Sequence, residues 1–165
     1  IAVQDPHPGS LKKELVLRLS SVTADAVHAQ DRLIFRASGY EVQFDPYRRW
    51  ALAPTEMIQQ SAMDFFAKAG VFKRVTASLP DPQERFWSLS IAVRAFEEIV
   101  TPERRIGRVS LQAWVSEGMH DLPIWEGQLT AEETIQGADA ESIIRALSLA
   151  AGKTLQQLLA QLEKQ

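Results

Sequence analysis

The chain contains no cysteine. That excludes disulfides, thiolate nucleophiles and cysteine-based zinc sites together, and it suits an oxidising compartment such as a periplasm. It also lacks any excess of basic residues: 18 Lys and Arg stand against 21 Asp and Glu, for a net charge of -3. With no surplus of cations to neutralise phosphates, a nucleic-acid partner is not expected. No apolar run approaches the ~20 residues of a membrane-spanning helix. No signal peptide is visible and residue 1 is Ile, so a mature or trimmed chain is expected.

Recognisable chemistry is equally scarce. There is no HxxxH or HExxH pair, no GxGxxG, no phosphate loop and no GxSxG. His7, His28 and His120 fall in expected loops, far apart, and read as surface residues. Gly152, Lys153 and Thr154 resemble the tail of a phosphate loop, but they lie inside a helical stripe and lack the upstream glycine. The acid pairs Glu97-Glu98 and Glu132-Glu133 would point to opposite faces of a strand, so neither can act as a cooperating acid and base, and solvated faces are expected. No catalytic residue, metal ligand or cofactor site nominates itself, and an enzyme with a scattered site ranks last among the readings.

What is present is a core: 45% hydrophobic content over 165 residues is enough for one substantial domain. The most informative stretch is 36–75. Tyr40, Val42 and Phe44 alternate with Glu41, Gln43 and Asp45, the period of a half-buried strand, which Pro46 should end near Asp45. Tyr47, Arg48, Arg49 and Trp50 form a dense aromatic and basic cluster. Pro54, Thr55 and Glu56 open a helix whose stripe is Ile58, Ala62, Phe65 and Ala69, and Gly70 closes it before a strand over 71–75.

Around this stretch, 1–10 is rich in breakers and reads as an N-terminal tether, leaving 11–165 as a single domain. Strands are expected over 14–19 and 32–35, the latter forming a hairpin with 40–44 through Ala37, Ser38 and Gly39. Three more strands, 86–99, 108–115 and 124–134, should form a meander, with Trp87 in the core and Trp114 on the opposite face. A closing helix over 139–162 has Ile144, Leu147, Ala151, Leu155, Leu158 and Leu162 as its stripe, with Gly152 marking close packing on the sheet. The expected fold class is α+β: a two-layer sandwich with two helices packed on one face of a mostly antiparallel sheet.

The cluster at 47–50 carries two readings. In one it is a partner surface, since Tyr, Arg and Trp dominate binding hot spots. In the other Trp50 enters the core while the arginines pair with acids such as Asp45 or Glu41. The balance favours the second, with one arginine free to serve both.

The run from Arg32 to Val75, RLIFRASGYEVQFDPYRRWALAPTEMIQQSAMDFFAKAGVFKRV, resembles the ABC-type transport auxiliary lipoprotein family of Gram-negative bacteria. The features that carry the likeness are an arginine-bearing strand at 34–36, a tyrosine strand at 40–44, an aromatic-x-W-A segment at 47–51, the helix and a short following strand. The resemblance implies a non-enzymatic periplasmic protein, held to a membrane, the outer membrane, by an N-terminal lipid. Its implied partners are an MCE-domain periplasmic protein and an inner-membrane ABC transporter that together move lipids or other hydrophobic molecules across the envelope; a homo-oligomer stays open. No lipobox cysteine is present in these residues, so the anchor is inferred, and the resemblance brings no catalytic residues. Tyr47, Arg48, Arg49 and Trp50, with Tyr40 and the adjoining strand, are the expected contact surface. The alternative is a periplasmic carrier that holds a lipid in an apolar pocket lined by Phe65, Phe66 and strand aromatics.

Overall fold

The computed structural model describes residues 1–7, 12–37, 41–120 and 122–165. The elements in chain order are β1 (Lys13–Ala24), β2 (Arg32–Ala37), β3 (Glu41–Arg49), α1 (Pro54–Ala69), β4 (Phe72–Thr76), β5 (Phe86–Val100), β6 (Arg105–Glu117), β7 (Pro123–Thr134) and α2 (Ala140–Glu163). The architecture is α+β, with both helices contributing to one core against the sheet.

β5 organises the sheet. Along one edge it pairs with β6, and β6 with β7, in the antiparallel meander that short links favour. The other edge of β5 is shared end to end by two strands. β1 runs parallel to its first half, from Val16↔Phe86 to Ala24↔Val93, and β2 runs parallel to its second half, from Ile34↔Glu97 to Ala37↔Val100. Between them the chain leaves the sheet over 25–31. β4 then pairs with β1 in parallel, and β3 with β2 in antiparallel fashion.

The sheet is therefore mixed, not mostly antiparallel as the sequence suggested. Among the described residues three of its six strand pairings are parallel. Hairpins are visible in local sequence because their turn residues lie between the partners. A parallel pair needs a long crossover, and nothing local in β1 or β2 announces β5 as its neighbour.

The core holds Leu15, Leu17 and Leu19 of β1, Leu89, Ile91, Val93 and Phe96 of β5, and Val109, Leu111, Ala113 and Val115 of β6, beneath the helices. α1 starts with Pro in its first turn, carries Glu56 near the positive end of its dipole, and stops at Gly70 in the left-handed region (φ 67°). In α2, Asp139 accepts a hydrogen bond from the Ser142 N–H at 2.7 Å, an N-cap that satisfies one orphan donor. The α2 stripe differs from the expected one at its first turn: Ile143 is buried, whereas Ile144 is 41% exposed. Gly152 does not meet the sheet. A Cβ there would sit 3.2 Å from Val3 Cγ1, so the close approach is by the N-terminal segment. That segment is held across the helices, with the His7 N–H donating to Gln156 Oε1 at 3.1 Å and Asp5 paired with Lys68 at 2.6 Å.

Candidate functional site

The 47–50 cluster sits on a wide irregularity between β2 and β3. Arg32 pairs with Arg49 and Ile34 with Phe44, so a two-residue step on β2 faces a five-residue step on β3. The surplus forms a bulge over 45–48. This explains why the strand does not end at Asp45, as the proline suggested, but continues to Arg49: Pro46 lies in the bulge, where no ladder bond asks for its missing N–H. The Asp45 carboxylate organises the bulge, its Oδ1 accepting from the Tyr47 and Arg48 N–H groups at 2.8 Å each.

The four side chains then separate. Tyr47 is 92% exposed. Arg48 Nε lies 3.7 Å from Asp45 Oδ2, the pairing expected from sequence, and Arg49 Nη1 lies 3.4 Å from Asp31 Oδ1. Both guanidiniums are about half exposed, so these pairs add little stability. Trp50 turns inward and meets Phe96 edge-on, with centroids 5.5 Å apart. The Trp50 backbone N–H donates to the Asp31 carbonyl at 2.6 Å. Arg48, Arg49 and Trp50 line a cavity of about 70 Å³ together with Leu33 and the first turn of α2, at Ala140, Ile143 and Ile144. Tyr40 lies outside the described residues.

A second cluster was not foreseen. Glu97 is fully buried on the sheet face away from the helices, and two guanidiniums and an imidazole converge on it. Arg36 grips it in a fork, Nε to Oε1 at 3.1 Å and Nη2 to Oε2 at 3.0 Å. Arg108, its β6 strand partner, donates to Oε1. His28 Nε2 lies 3.7 Å from Oε2, an ion-pair distance and not a hydrogen bond, while its Nδ1 is 2.8 Å from Asp25 Oδ1. Burial pushes the Glu97 carboxyl up, but His28, Arg36 and Arg108 outweigh it and hold the group down at about 2. Glu97 raises His28 in turn, against burial, with Asp25 adding to it.

Two expectations fail here. His28 is 5% exposed, not a surface histidine, and Glu97 and Glu98 are buried, not solvated. The pair does point to opposite faces: Glu98 is held by Arg105, which also donates to the Gly137 carbonyl ahead of α2. The missed signal was the arginines. Arg36, Arg105 and Arg108 fall on strands that neighbour β5, but only the pairing puts each one beside a carboxylate. A carboxylate this strongly ionised and saturated with donors is a poor general base. Its geometry suits a clamp that ties β2, β5, β6 and the 25–31 excursion together.

Trp87 and Trp114 sit as read: Trp87 is buried, and Trp114 is half-buried on the face away from the helices, opposite Ser90 and Glu126. Phe65 and Phe66 are buried in the core, edge-on to each other at 5.7 Å.

The fold has solved counterparts. A Xanthomonas campestris protein of the family DUF330 superposes with a TM-score of 0.86 at 19% identity, over 98% of this chain and 92% of that one. An uncharacterised protein gives 0.71 at 11% identity, over 98% and 97%. A hypothetical protein of Chlamydia trachomatis gives 0.61 at 9% identity, over 92% and 96%. At these identities the likeness is one of fold alone. No curated protein matches the sequence. The family model for the ABC-type transport auxiliary lipoprotein component matches residues 2–162, and the chain belongs to that family.

Proposed function

We propose that this protein is the non-catalytic auxiliary subunit of an ABC/MCE transport system that moves lipids or other hydrophobic molecules across the Gram-negative envelope. In this reading it stands in the periplasm, lipid-anchored at the outer membrane, and docks on an MCE-domain protein that leads to the inner-membrane transporter. The family match over residues 2–162 carries the reading. The docking face is the β3 bulge. An aromatic ring 92% exposed beside two half-exposed guanidiniums, on a bulge fixed by its own aspartate, has the composition of an interface hot spot. The Trp50 indole anchors that bulge to the core and serves as its support.

Direct carriage of a lipid is less well supported. Phe65 and Phe66 are consumed by core packing, and the cavity beside Trp50 holds only about 70 Å³ against the ~300–1,000 Å³ of ordinary ligand pockets. The roomier clefts at the start of α2 and along α1 are open and lined largely by charged and amide side chains.

The test is co-purification of the full-length precursor with the MCE and transporter subunits encoded beside it. Recovery of the complex is expected, with about tenfold or greater loss for Tyr47→Ala combined with Arg48→Glu and Arg49→Glu. A complex retained by that variant, with its fold intact, removes the bulge from the interface. Failure of the unaltered protein to recover either subunit overturns the reading itself.

A further inference from the structure

Scattered apolar side chains are normal on a protein surface, and clustered ones are informative. Of the seven large hydrophobics exposed among the described residues, three lie within six positions at the β6–β7 turn: Met119 at 67%, Leu122 at 83% and Ile124 at 41%. Ile124 owes its exposure to a bulge. Val115 pairs with Trp125 and Ser116 with Pro123, which leaves Ile124 without a β6 partner.

The base of the turn is fixed to β5. Gly118 takes a positive φ of 62° that a side chain would disfavour. The Gly118 N–H donates to the Phe86 carbonyl at 2.8 Å, and Ser88 Oγ donates to the Gly118 carbonyl at 2.8 Å. The base of the turn is therefore fixed, and Met119, Leu122 and Ile124 are exposed beyond it.

Three cations lie near the base of the turn. Arg18 Nη1 donates to Met119 Sδ at 3.7 Å, and no carboxylate among the described residues is paired with it. Arg85 is 77% exposed and reaches Glu117 at 3.1 Å, which neutralises the acid at the foot of the hairpin. Lys13 lies over the Trp87 ring at 4.8 Å, and Trp87 is the strand partner of Glu117. Asp121 is the one acid between Glu117 and Glu126 in the sequence.

We propose that the β6–β7 hairpin tip is a membrane-docking element, in which Met119, Leu122 and Ile124 enter the headgroup region of an anionic bilayer and Arg18, Arg85 and Lys13 meet its phosphates. Exposed aliphatic side chains with Arg18 and Lys13 close by fit an anionic lipid interface better than a protein surface, where aromatic anchors prevail. Membership of a lipoprotein family sets such an interface within reach. One acyl chain alone binds weakly and gains from a second contact. The proposal rests on that membership and is independent of the bulge and of any MCE partner.

The experiment uses the chain as it stands, without lipid, sedimented with vesicles of phosphatidylethanolamine and phosphatidylglycerol, and in parallel with phosphatidylcholine vesicles. Binding to the anionic vesicles is expected, to fall about tenfold or more in Met119→Glu/Leu122→Glu and about fivefold in Arg85→Gln. Both sites are exposed, and an unchanged melting temperature confirms that the fold persists. No binding to either vesicle, or equal binding to both, overturns the proposal. So does a concentration-dependent dimer abolished by the same glutamates, which would make the tip a contact between copies.

Discussion

Glu97 shows what a single side chain does in this sheet. Replacing it with Gln leaves Arg36, Arg108 and His28 facing a neutral acceptor in a site from which water is excluded. Breaking a buried pair from one side costs ~3–5 kcal/mol. For a chain of this size that is a fall in melting temperature of roughly 10 °C, readable by calorimetry. The pH dependence has a definite direction. The Glu97 carboxyl is depressed from 4.5 to about 2, so its contribution is complete above pH 4.5 and is lost as the pH falls from 4.5 towards 2. His28 is raised above 6.5, so its contribution is complete below pH 6.5 and is lost as the pH rises through its elevated value. Urea titrations across pH should show both limbs, the acid one flattened in Glu97→Gln and the neutral one in His28→Gln. From the sequence these residues looked ordinary. Asp45 could be matched to Arg48 because they are three residues apart, whereas Arg36 reaches Glu97 across 61 positions, which no local pattern encodes.

At the scale of elements, α1 and α2 were legible from their period, and α1 also from its opening Pro54 and closing Gly70, since a helix is stabilised by neighbours in the chain; the Asp139 cap of α2 was not read. The strands were legible one at a time, and the β5–β6–β7 meander followed from its short links. What stayed hidden was the junction on the far edge of β5, where β1 and β2 share one partner, and the sense of their pairing. The seat of α2 on β6 is equally a tertiary matter. A Cβ on Gly107 would come within 3.1 Å of Ala146 Cβ and 3.2 Å of the Leu147 nitrogen. Gly107→Ala should therefore lift the helix and lower stability by ~1–3 kcal/mol, measured as a fall in melting temperature. Nothing around Gly107 in the sequence marks that contact.

For the molecule as a whole, the N-terminal residues are a covering strip across the helix layer. Val3 lies on Gly152, Asp5 on Lys68 and the His7 backbone on Gln156. Val3 is a partly buried apolar residue packed on the core, whereas the Asp5–Lys68 pair is exposed and adds little. Gly152→Val should displace the strip, since its side chain claims the space of Val3 Cγ1. The expected outcome is faster proteolytic nicking within residues 1–7, read by mass spectrometry, with the melting temperature of the remaining domain lowered by only a few degrees. A melting temperature reduced as far as in Glu97→Gln would show instead that the strip is integral to the core.

The place of β1 between β4 and β5, both parallel to it, has a mechanical side. A pull on the chain ahead of Lys13 runs along the strand axis, so the ladder bonds on both flanks resist together in shear instead of parting one after another. Force arriving from the opposite terminus meets α2, which no ladder restrains. The molecule is thus stiff to traction at one end and yielding at the other.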